Sequence, residues 1–157
     1  MNGFQLQSLI ADSWALREQF RGIFARDTMS QLETLIPGGY LCNTSDRDRR
    51  GRHWTAYYKK QASGSRDDSF FFDSLGHPPG HYGILLSGEG DDVSYNPRRV
   101  QSEDSSSCGL YCVFFLHWAS LGCDYQQILD IFSGEDFIKN ELILSDFIKY
   151  LKRFKTR

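Results

Sequence analysis

A nearly continuous apolar series, CGLYCVFFLHWASL, occupies residues 108–121. The series has the length of a buried helix and offers no polar stripe that could face solvent. Gly122 follows it directly, in the position where glycine commonly ends a helix. We therefore predict a helix over residues 107–121, with Cys112 in the core one turn beyond Cys108.

The length and composition predict a single folded domain over residues 1–157. The chain is 40% hydrophobic and 24% charged, which is typical of a globular protein rather than a disordered one. No stretch reaches the roughly 18 apolar residues of a membrane span. The charges Asp12, Arg17 and Glu18 do not fit a secretory signal. We expect a monomer that is not secreted and does not bind membranes.

The cysteines indicate a reducing compartment. Cys42, Cys108, Cys112 and Cys123 form neither a CxxC pair nor the dense framework of a disulfide-stapled protein. We expect free thiols and an intracellular location.

Helical periodicity is found at both ends of the chain, and strand patterns are found in the middle. Helices are predicted over residues 4–14, 107–121, 125–132 and 136–154, and strands over 40–43, 53–60, 69–74 and 93–101. Residues 28–33 are polar and are predicted as a loop, and the glycine-rich residues 76–92 as a loop with at most one helical turn. The predicted fold class is α+β, with a small mixed central sheet packed between helices.

Cys108 is the candidate nucleophile. Backbone N–H groups and the helix dipole at a helix start favour a thiolate, and Cys108 would stand at such a start. Ser105, Ser106 and Ser107 precede it and are good N-cap residues. Gly109 would leave the backbone open to an approaching substrate. The ordinary alternative for Cys108 is a small buried hydrophobic residue.

Three further residues could complete a nucleophilic site, because a cysteine nucleophile needs a base and the base needs an orienting group. His53 begins a predicted strand and can act as the base. Asp73 ends the apolar strand FFFD and would be costly to bury without a partner such as histidine. Gln101 can donate to an oxyanion. Taken alone, each also has an ordinary interpretation, as a surface histidine, a turn residue and an exposed glutamine.

Together, the blocks CNTSDRDRRGRHWTAYY, FFFDSLG and VQSEDSSSCGLYCVFFLHWA resemble the adenovirus endopeptidase (adenain) family of cysteine proteases, which includes proteases of virus-like DNA transposons. That family belongs to the larger group of the SUMO-specific proteases. The resemblance rests on four motifs in the family's order: His-Trp at a strand start, an acid followed by glycine, a glutamine seven residues before the cysteine, and CGLYC.

The resemblance implies a papain-like, circularly rearranged core and a catalytic role for four residues. Cys108 would be the nucleophile, His53 the base, Asp73 its orienter and Gln101 the oxyanion donor. Trp54 and Gly109 would contact substrate. The implied activity is cleavage near glycine, at Gly-Gly or Gly-X-Gly sites, in structural-protein precursors of a virus or virus-like element. The implied location is then the host nucleus or the virion.

The family also suggests an activating peptide and DNA, although the chemistry requires no cofactor and no metal. Residues 76–100 contain no cysteine, so a disulfide-tethered peptide is not expected, whereas a noncovalent one remains open. The formal net charge is −2, and DNA contact is expected to be weak. The expected DNA contacts are the basic residues of the C-terminal segment, namely Lys149, Lys152, Arg153, Lys155 and Arg157, together with the arginine-rich residues 47–52.

Three other functions remain open. A deubiquitinase or deSUMOylase would share the order of the four residues, and a catalytically silent scaffold would share the fold. A metal site at Cys42, His53, Cys108 and Cys112 would match no zinc spacing. In addition, the segment IPGGY at residues 36–40 fits the family's cleavage pattern, although a turn that leads into a strand explains it more simply.

Overall fold

The computed structural model describes residues 1–47, 53–61, 69–86 and 93–155. This part of the chain forms an α+β fold with a small mixed sheet, as predicted, and contains five helices and four strands. The helices are α1 (Gly3–Asp12), α2 (Arg26–Ser30), α3 (Cys108–Ser120), α4 (Tyr125–Asp130) and α5 (Phe137–Phe154). The strands are β1 (Phe20–Phe24), β2 (Gly38–Asn43), β3 (Trp54–Lys59) and β4 (Ser69–Phe72), and a 3-10 turn covers Pro79–Tyr82.

The sheet has the order β1-β2-β3-β4, with β1 parallel to β2 and the other pairs antiparallel. Side chains along a strand alternate between the two faces, and here both faces are apolar. Leu41, Ala56 and Phe72 belong to the cluster that contains α3. Their neighbours Tyr40 and Phe71 belong to a second cluster with Met29, Ile84 and Leu86.

Helix α3 is buried almost along its entire length, as its apolar sequence predicts. It packs on the sheet, chiefly on β3, and α1, α4 and α5 pack against its other sides. It ends before Gly122, whose φ of 85° lies in the left-handed region that glycine tolerates best.

The sequence predictions fail at three places. Strand β1 lies where no element is predicted, and helix α2 overlaps residues 28–33, which are predicted as a loop. Residues 93–101 do not form a strand; a bridge from Phe71 to Tyr95 pairs them with β4, and Pro97 then interrupts the ladder. Helix α1, predicted over residues 4–14, covers Gly3–Asp12, and Leu6 and Ile10 are its buried residues, whereas Phe4 is 81% exposed.

The segment IPGGY forms the entry to β2. Gly38 and Gly39 are both buried, and they pair with Lys59 and Tyr58 of β3. Gly38 has a φ of 138°, and a Cβ on it would lie 2.3 Å from the carbonyl oxygen of Gln19. The two glycines are therefore explained by strand packing, and self-cleavage at this segment would first require β2 to leave the sheet.

His117 joins three helices inside the core. A 2.8 Å hydrogen bond links its Nδ1 to Ser13 Oγ after α1, and Nε2 lies 3.3 Å from the hydroxyl of Tyr150 on α5. Its ring is fully buried and packs edge-on against Trp14 and Phe147. Burial disfavours the charged form and lowers the pKa of His117 to about 4.

Acidification should therefore weaken the fold through His117. The unfolded chain takes up a proton on this ring near pH 6.5 and the folded chain only near pH 4, so stability is lost as pH falls through that interval. Between pH 7 and pH 5, the unfolding free energy of the wild type should fall by about 2 kcal/mol more than that of His117→Gln. Urea denaturation at the two pH values measures this difference, and equal changes in both proteins would contradict it.

Candidate active site

Cys108 is the first residue of α3, so its side chain stands at the positive end of the helix dipole. Ser107 occupies the N-cap position as predicted, but its side chain makes no capping hydrogen bond. The Cys108 residue is 9% exposed. A thiol in this position is both partly accessible and electrostatically favoured as a thiolate.

His53 and Asp73 meet because β3 and β4 are antiparallel neighbours. His53 precedes the first residue of β3, and Asp73 follows the last residue of β4, so both lie at the same edge of the sheet. His53 Nε2 donates a hydrogen bond to Asp73 Oδ1 at 2.5 Å. The imidazole also forms a hydrogen bond with the Cys108 thiol. Nδ1 is the ring nitrogen left for this bond, because Nε2 bonds Asp73.

The Asp73 carboxylate is fully buried and accepts four hydrogen bonds. Oδ1 accepts from His53 and from the backbone N–H of Leu75. Oδ2 accepts from the backbone N–H of His77 at 3.1 Å and from the Tyr82 hydroxyl at 2.5 Å. Four donors compensate for much of the cost of burying the negative charge.

The pKa shifts favour a thiolate beside an imidazolium. Burial would lower the pKa of His53, but hydrogen bonds with Asp73 and Cys108 and their negative charges outweigh it and raise that pKa to about 9. Burial opposes ionisation of Cys108, but the His53 hydrogen bond, a backbone N–H of Trp54 and the imidazolium charge lower the pKa of Cys108. Burial likewise opposes ionisation of Asp73, and the His53 contact lowers its pKa overall.

Gln101 is held at the same site by hydrogen bonds to both ends of its amide. The Ser74 hydroxyl donates to Oε1, and Nε2 donates to the Ser105 carbonyl at 3.0 Å. Gln101 is buried yet lines the cleft beside Cys108. The second hydrogen on Nε2 is therefore available to a group bound in the cleft.

A cleft of about 250 Å³ opens over these residues. Its lining residues are Met1, His53, Trp54, Leu75, Gln101, Ser102, Glu103, Ser105, Ser106 and Cys108. The structure thus brings Cys108, His53, Gln101 and Trp54 to one opening, and Asp73 supports them from behind. An extended peptide could present a carbonyl group to Cys108 in this cleft.

Trp54 and Gly109, the predicted substrate contacts, have different surroundings. Trp54 lines the cleft, and its Nε1 donates to the Met1 carbonyl at 3.1 Å. Gly109 packs beneath α1, where an added Cβ would lie 2.6 Å from Leu6 Cδ2. Close helix packing accounts for the glycine, and its contact with substrate stays a prediction.

Sequence reasoning missed Tyr82 and Asn96. Asn96 is buried, accepts from the Asp73 backbone N–H at 3.0 Å and donates to the Asp73 carbonyl. Tyr82 lies in the 3-10 turn, and its hydroxyl donates to Asp73. The backbone carbonyl of Tyr82 accepts a hydrogen bond from Arg26 Nη1 of α2. The only local signal was the short helical turn expected within residues 76–92, which does not reveal where a tyrosine hydroxyl will point.

The alternative metal set does not assemble. Cys42 packs in the second apolar cluster on the far face of the sheet, and Cys112 is fully buried in the first. Within residues 1–47, 53–61, 69–86 and 93–155, no group of three or more His, Cys, Asp or Glu side chains could hold a metal ion. All four cysteines are free.

The expected DNA contacts fall partly within the described residues. Lys149, Lys152, Arg153 and Lys155 are exposed on or just after α5, and Lys155 Nζ lies 3.3 Å from Asp12 Oδ1. Arg157 and the arginines at positions 49, 50 and 52 lie outside the described residues. Among the helices that are described, none has both the length and the apolar character needed to cross a membrane.

Comparison with family models gives no match to this chain, and comparison with curated proteins gives none either.

Cys108 should react as a thiolate below its ordinary pKa. Its alkylation by iodoacetamide, followed against pH by mass spectrometry, should have a midpoint below pH 9 in the wild type. His53→Ala should move the midpoint upward, because the imidazolium that stabilises the thiolate is lost. Cys123→Ser removes a half-buried thiol outside the cleft and should leave the Cys108 profile unchanged. An alkylation midpoint that is the same in the wild type and in His53→Ala would contradict the ion pair between Cys108 and His53.

Removal of the Tyr82 hydroxyl should raise the pKa of His53. Tyr82→Phe deletes one hydrogen bond to the Asp73 carboxylate, which leaves more of its negative charge uncompensated beside the imidazolium. We expect the His53 midpoint, followed by NMR, to rise by about 0.5–1 pH unit from its value of about 9. Tyr40→Phe is the control, because it removes a hydroxyl that bonds the Ile36 carbonyl away from the cleft. Equal His53 midpoints in all three proteins would contradict the role of the hydroxyl.

Proposed function

We propose that this protein is a cysteine endopeptidase. The observation that carries the proposal is the continuous hydrogen-bonded series from the Cys108 thiol through His53 to the buried Asp73, open to a cleft. A nucleophile, a base and an orienting carboxylate in this order are the parts that acyl transfer requires.

The fold proposal is a papain-like, circularly rearranged core of the adenain and SUMO-protease type. It is supported by a nucleophile at the start of a central helix and a base and acid at the edge of the sheet packed on that helix. The order His53, Asp73, Gln101, Cys108 along the chain supports the same proposal.

The proposed reaction proceeds in two stages. The Cys108 thiolate attacks the carbonyl carbon of a peptide bond, and the carbonyl oxygen takes up the negative charge. The C–N bond then breaks, and the His53 imidazolium gives its proton to the leaving amine. Water attacks the thioester while neutral His53 takes one of its protons. The C–S bond breaks, which releases the acid and restores the thiolate.

The oxyanion is proposed to accept hydrogen bonds from Gln101 Nε2 and from the backbone N–H of Cys108. That N–H belongs to the first turn of α3 and has no partner within the helix. Ser74 and Ser105 fix the Gln101 amide before substrate arrives. Donors that are already oriented stabilise the transition state without further reorganisation.

The substrates are proposed to be structural-protein precursors with Gly-Gly or Gly-X-Gly sites. The adenain resemblance implies a cleft that is narrow near the scissile bond and accepts glycine there, and Trp54 and Gln101 both line the opening beside Cys108. An activating peptide or DNA is proposed only as a regulator, with DNA bound by Lys149, Lys152, Arg153, Lys155 and Arg157.

Peptides with Gly-Gly or Gly-X-Gly sites should be cleaved by the wild type and not by Cys108→Ala. His53→Ala should lower kcat by about 10³-fold or more. Cys123→Ala, a matched thiol outside the cleft, should retain full activity. The kcat/KM profile should fall above about pH 9, where His53 loses the proton that the leaving amine needs.

Vinyl-sulfone probes separate the competing functions. A short peptide probe that ends in Gly-Gly should label Cys108 in the wild type and fail with His53→Ala, with or without added DNA. Labelling only by ubiquitin or SUMO probes would instead indicate an isopeptidase. Failure of every probe, even with DNA present, would overturn the proposal and favour a scaffold.

A further inference from the structure

The loop before Cys108 is tied to helix α5 by one side-chain contact. Ser105 Oγ donates a hydrogen bond to Glu141 Oε1 at 2.5 Å, across 36 positions of the chain. The same Oγ accepts from the backbone N–H of Ser107 at 3.1 Å. The Ser105 carbonyl oxygen is the atom that accepts from Gln101 Nε2. Ser105 therefore contacts the Gln101 amide, which is one proposed oxyanion donor, and Ser107, which directly precedes the other donor, the Cys108 backbone N–H.

Helix α5 offers a rigid base for this contact. Asn140, which precedes Glu141, is fully buried and donates from Nδ2 to the Val100 carbonyl at 2.7 Å. Its Oδ1 accepts from the backbone N–H of Ser133. Leu144 and Phe147 anchor the next turn of α5 in the main core. Neighbouring residues of one helix thus hold Val100 and Ser105, which lie on either side of Gln101.

The Glu141 carboxylate does not face the cleft. It is absent from the residues that line the opening, and it is half-buried next to Tyr111, whose pKa is raised by burial and then by this carboxylate's charge. Within the described part of the chain, no lysine or arginine forms an ion pair with it. Its hydrogen bond with the Ser105 hydroxyl ties it to the loop before Cys108.

We propose that Glu141 is a positioning residue for the oxyanion site. This inference rests on the proposed endopeptidase function. Glu141 accepts a hydrogen bond from the Ser105 hydroxyl, and Ser105 in turn bonds Gln101 Nε2 and the backbone N–H of Ser107. These contacts keep the two proposed oxyanion donors, Gln101 Nε2 and the Cys108 backbone N–H, directed at the same point. Because oxyanion stabilisation depends on donors oriented before reaction, a looser loop costs rate rather than substrate affinity.

The test compares Glu141→Ala, Glu141→Gln and the control Asp146→Ala, which removes an exposed carboxylate from the same helix. Loss of a whole oxyanion donor costs about 10²–10³-fold in kcat, so its misplacement in Glu141→Ala should cost about 10–100-fold with KM little changed. Affinity for a peptide aldehyde, whose adduct oxygen occupies the oxyanion site, should fall by the same factor. The pH profile of Cys108 alkylation should not move. Glu141→Gln keeps an acceptor for Ser105 and should recover to within about threefold of the wild type.

Ser105→Ala tests the same link without altering α5, which covers the case in which Glu141→Ala does not fold. It should reproduce the kcat loss of Glu141→Ala, and the double variant should lose no more than either single one. Full activity in Ser105→Ala or Glu141→Ala would overturn the inference. Equal losses in kcat for Glu141→Ala and Asp146→Ala would also overturn it.

One readout separates this inference from the proposed function. The side-chain NH₂ signals of Gln101, observed by NMR without substrate, should be protected from exchange in the wild type and exposed in Glu141→Ala. If no peptide is cleaved but this change occurs, the endopeptidase proposal fails and the positioning by Glu141 stands. If peptides are cleaved and the signals are the same in both proteins, the positioning inference fails alone.

Discussion

Helix α3 has no polar face, and the burial of its whole circumference determines where the other elements lie. One side packs on the sheet, mostly on β3, and the remaining sides require α1, α4 and α5. Aromatic rings fill much of this space, for example Phe115 stacked on Phe72 at 4.9 Å between centroids. A helix held on every side has little freedom to slide or rotate, because protein interiors are close-packed. Its first residue, Cys108, is thereby fixed relative to the edge of the sheet.

The edge of the sheet brings the partners of Cys108 into place through strand pairing. Ala56 pairs with Phe72, so the residue before β3 and the residue after β4 emerge side by side. The backbone amides of Leu75 and His77 then fold back onto the Asp73 carboxylate, and Tyr82 and Asn96 hold it from two further segments. A carboxylate with this many donors stays ionised even when fully buried. That buried charge is what allows His53 to remain protonated beside Cys108.

The sequence predicts well what local pattern determines. The apolar series predicts α3, and the alternation in residues 53–60 predicts β3, because each element buries a recognisable set of side chains. Strand β1 is not predicted because Arg21 and Gly22 interrupt its apolar pattern. It forms because it pairs with β2, which lies further along the sequence. Residues 93–101 read as a strand, but Asn96 turns its amide to the Asp73 backbone instead. The residues around the candidate site follow the same division. Cys108, His53, Asp73 and Gln101 are predicted from sequence and lie together in the structure. Tyr82, Asn96 and Glu141 join them through contacts that sequence spacing does not encode.

Stability and proposed chemistry place opposite demands on the same edge of the molecule. An isolated pair of buried charges rarely stabilises a fold, because its desolvation cancels much of the attraction. The core on both faces of the sheet must therefore supply the stability that His53 and Asp73 do not.

The loop that carries Gln101 has no strand or helix of its own, and it is held by Ser74 on the sheet side and by Asn140 and Glu141 of α5. Rigid elements on two sides thus orient an irregular segment, which keeps its polar groups available to the cleft rather than to a hydrogen-bonded ladder.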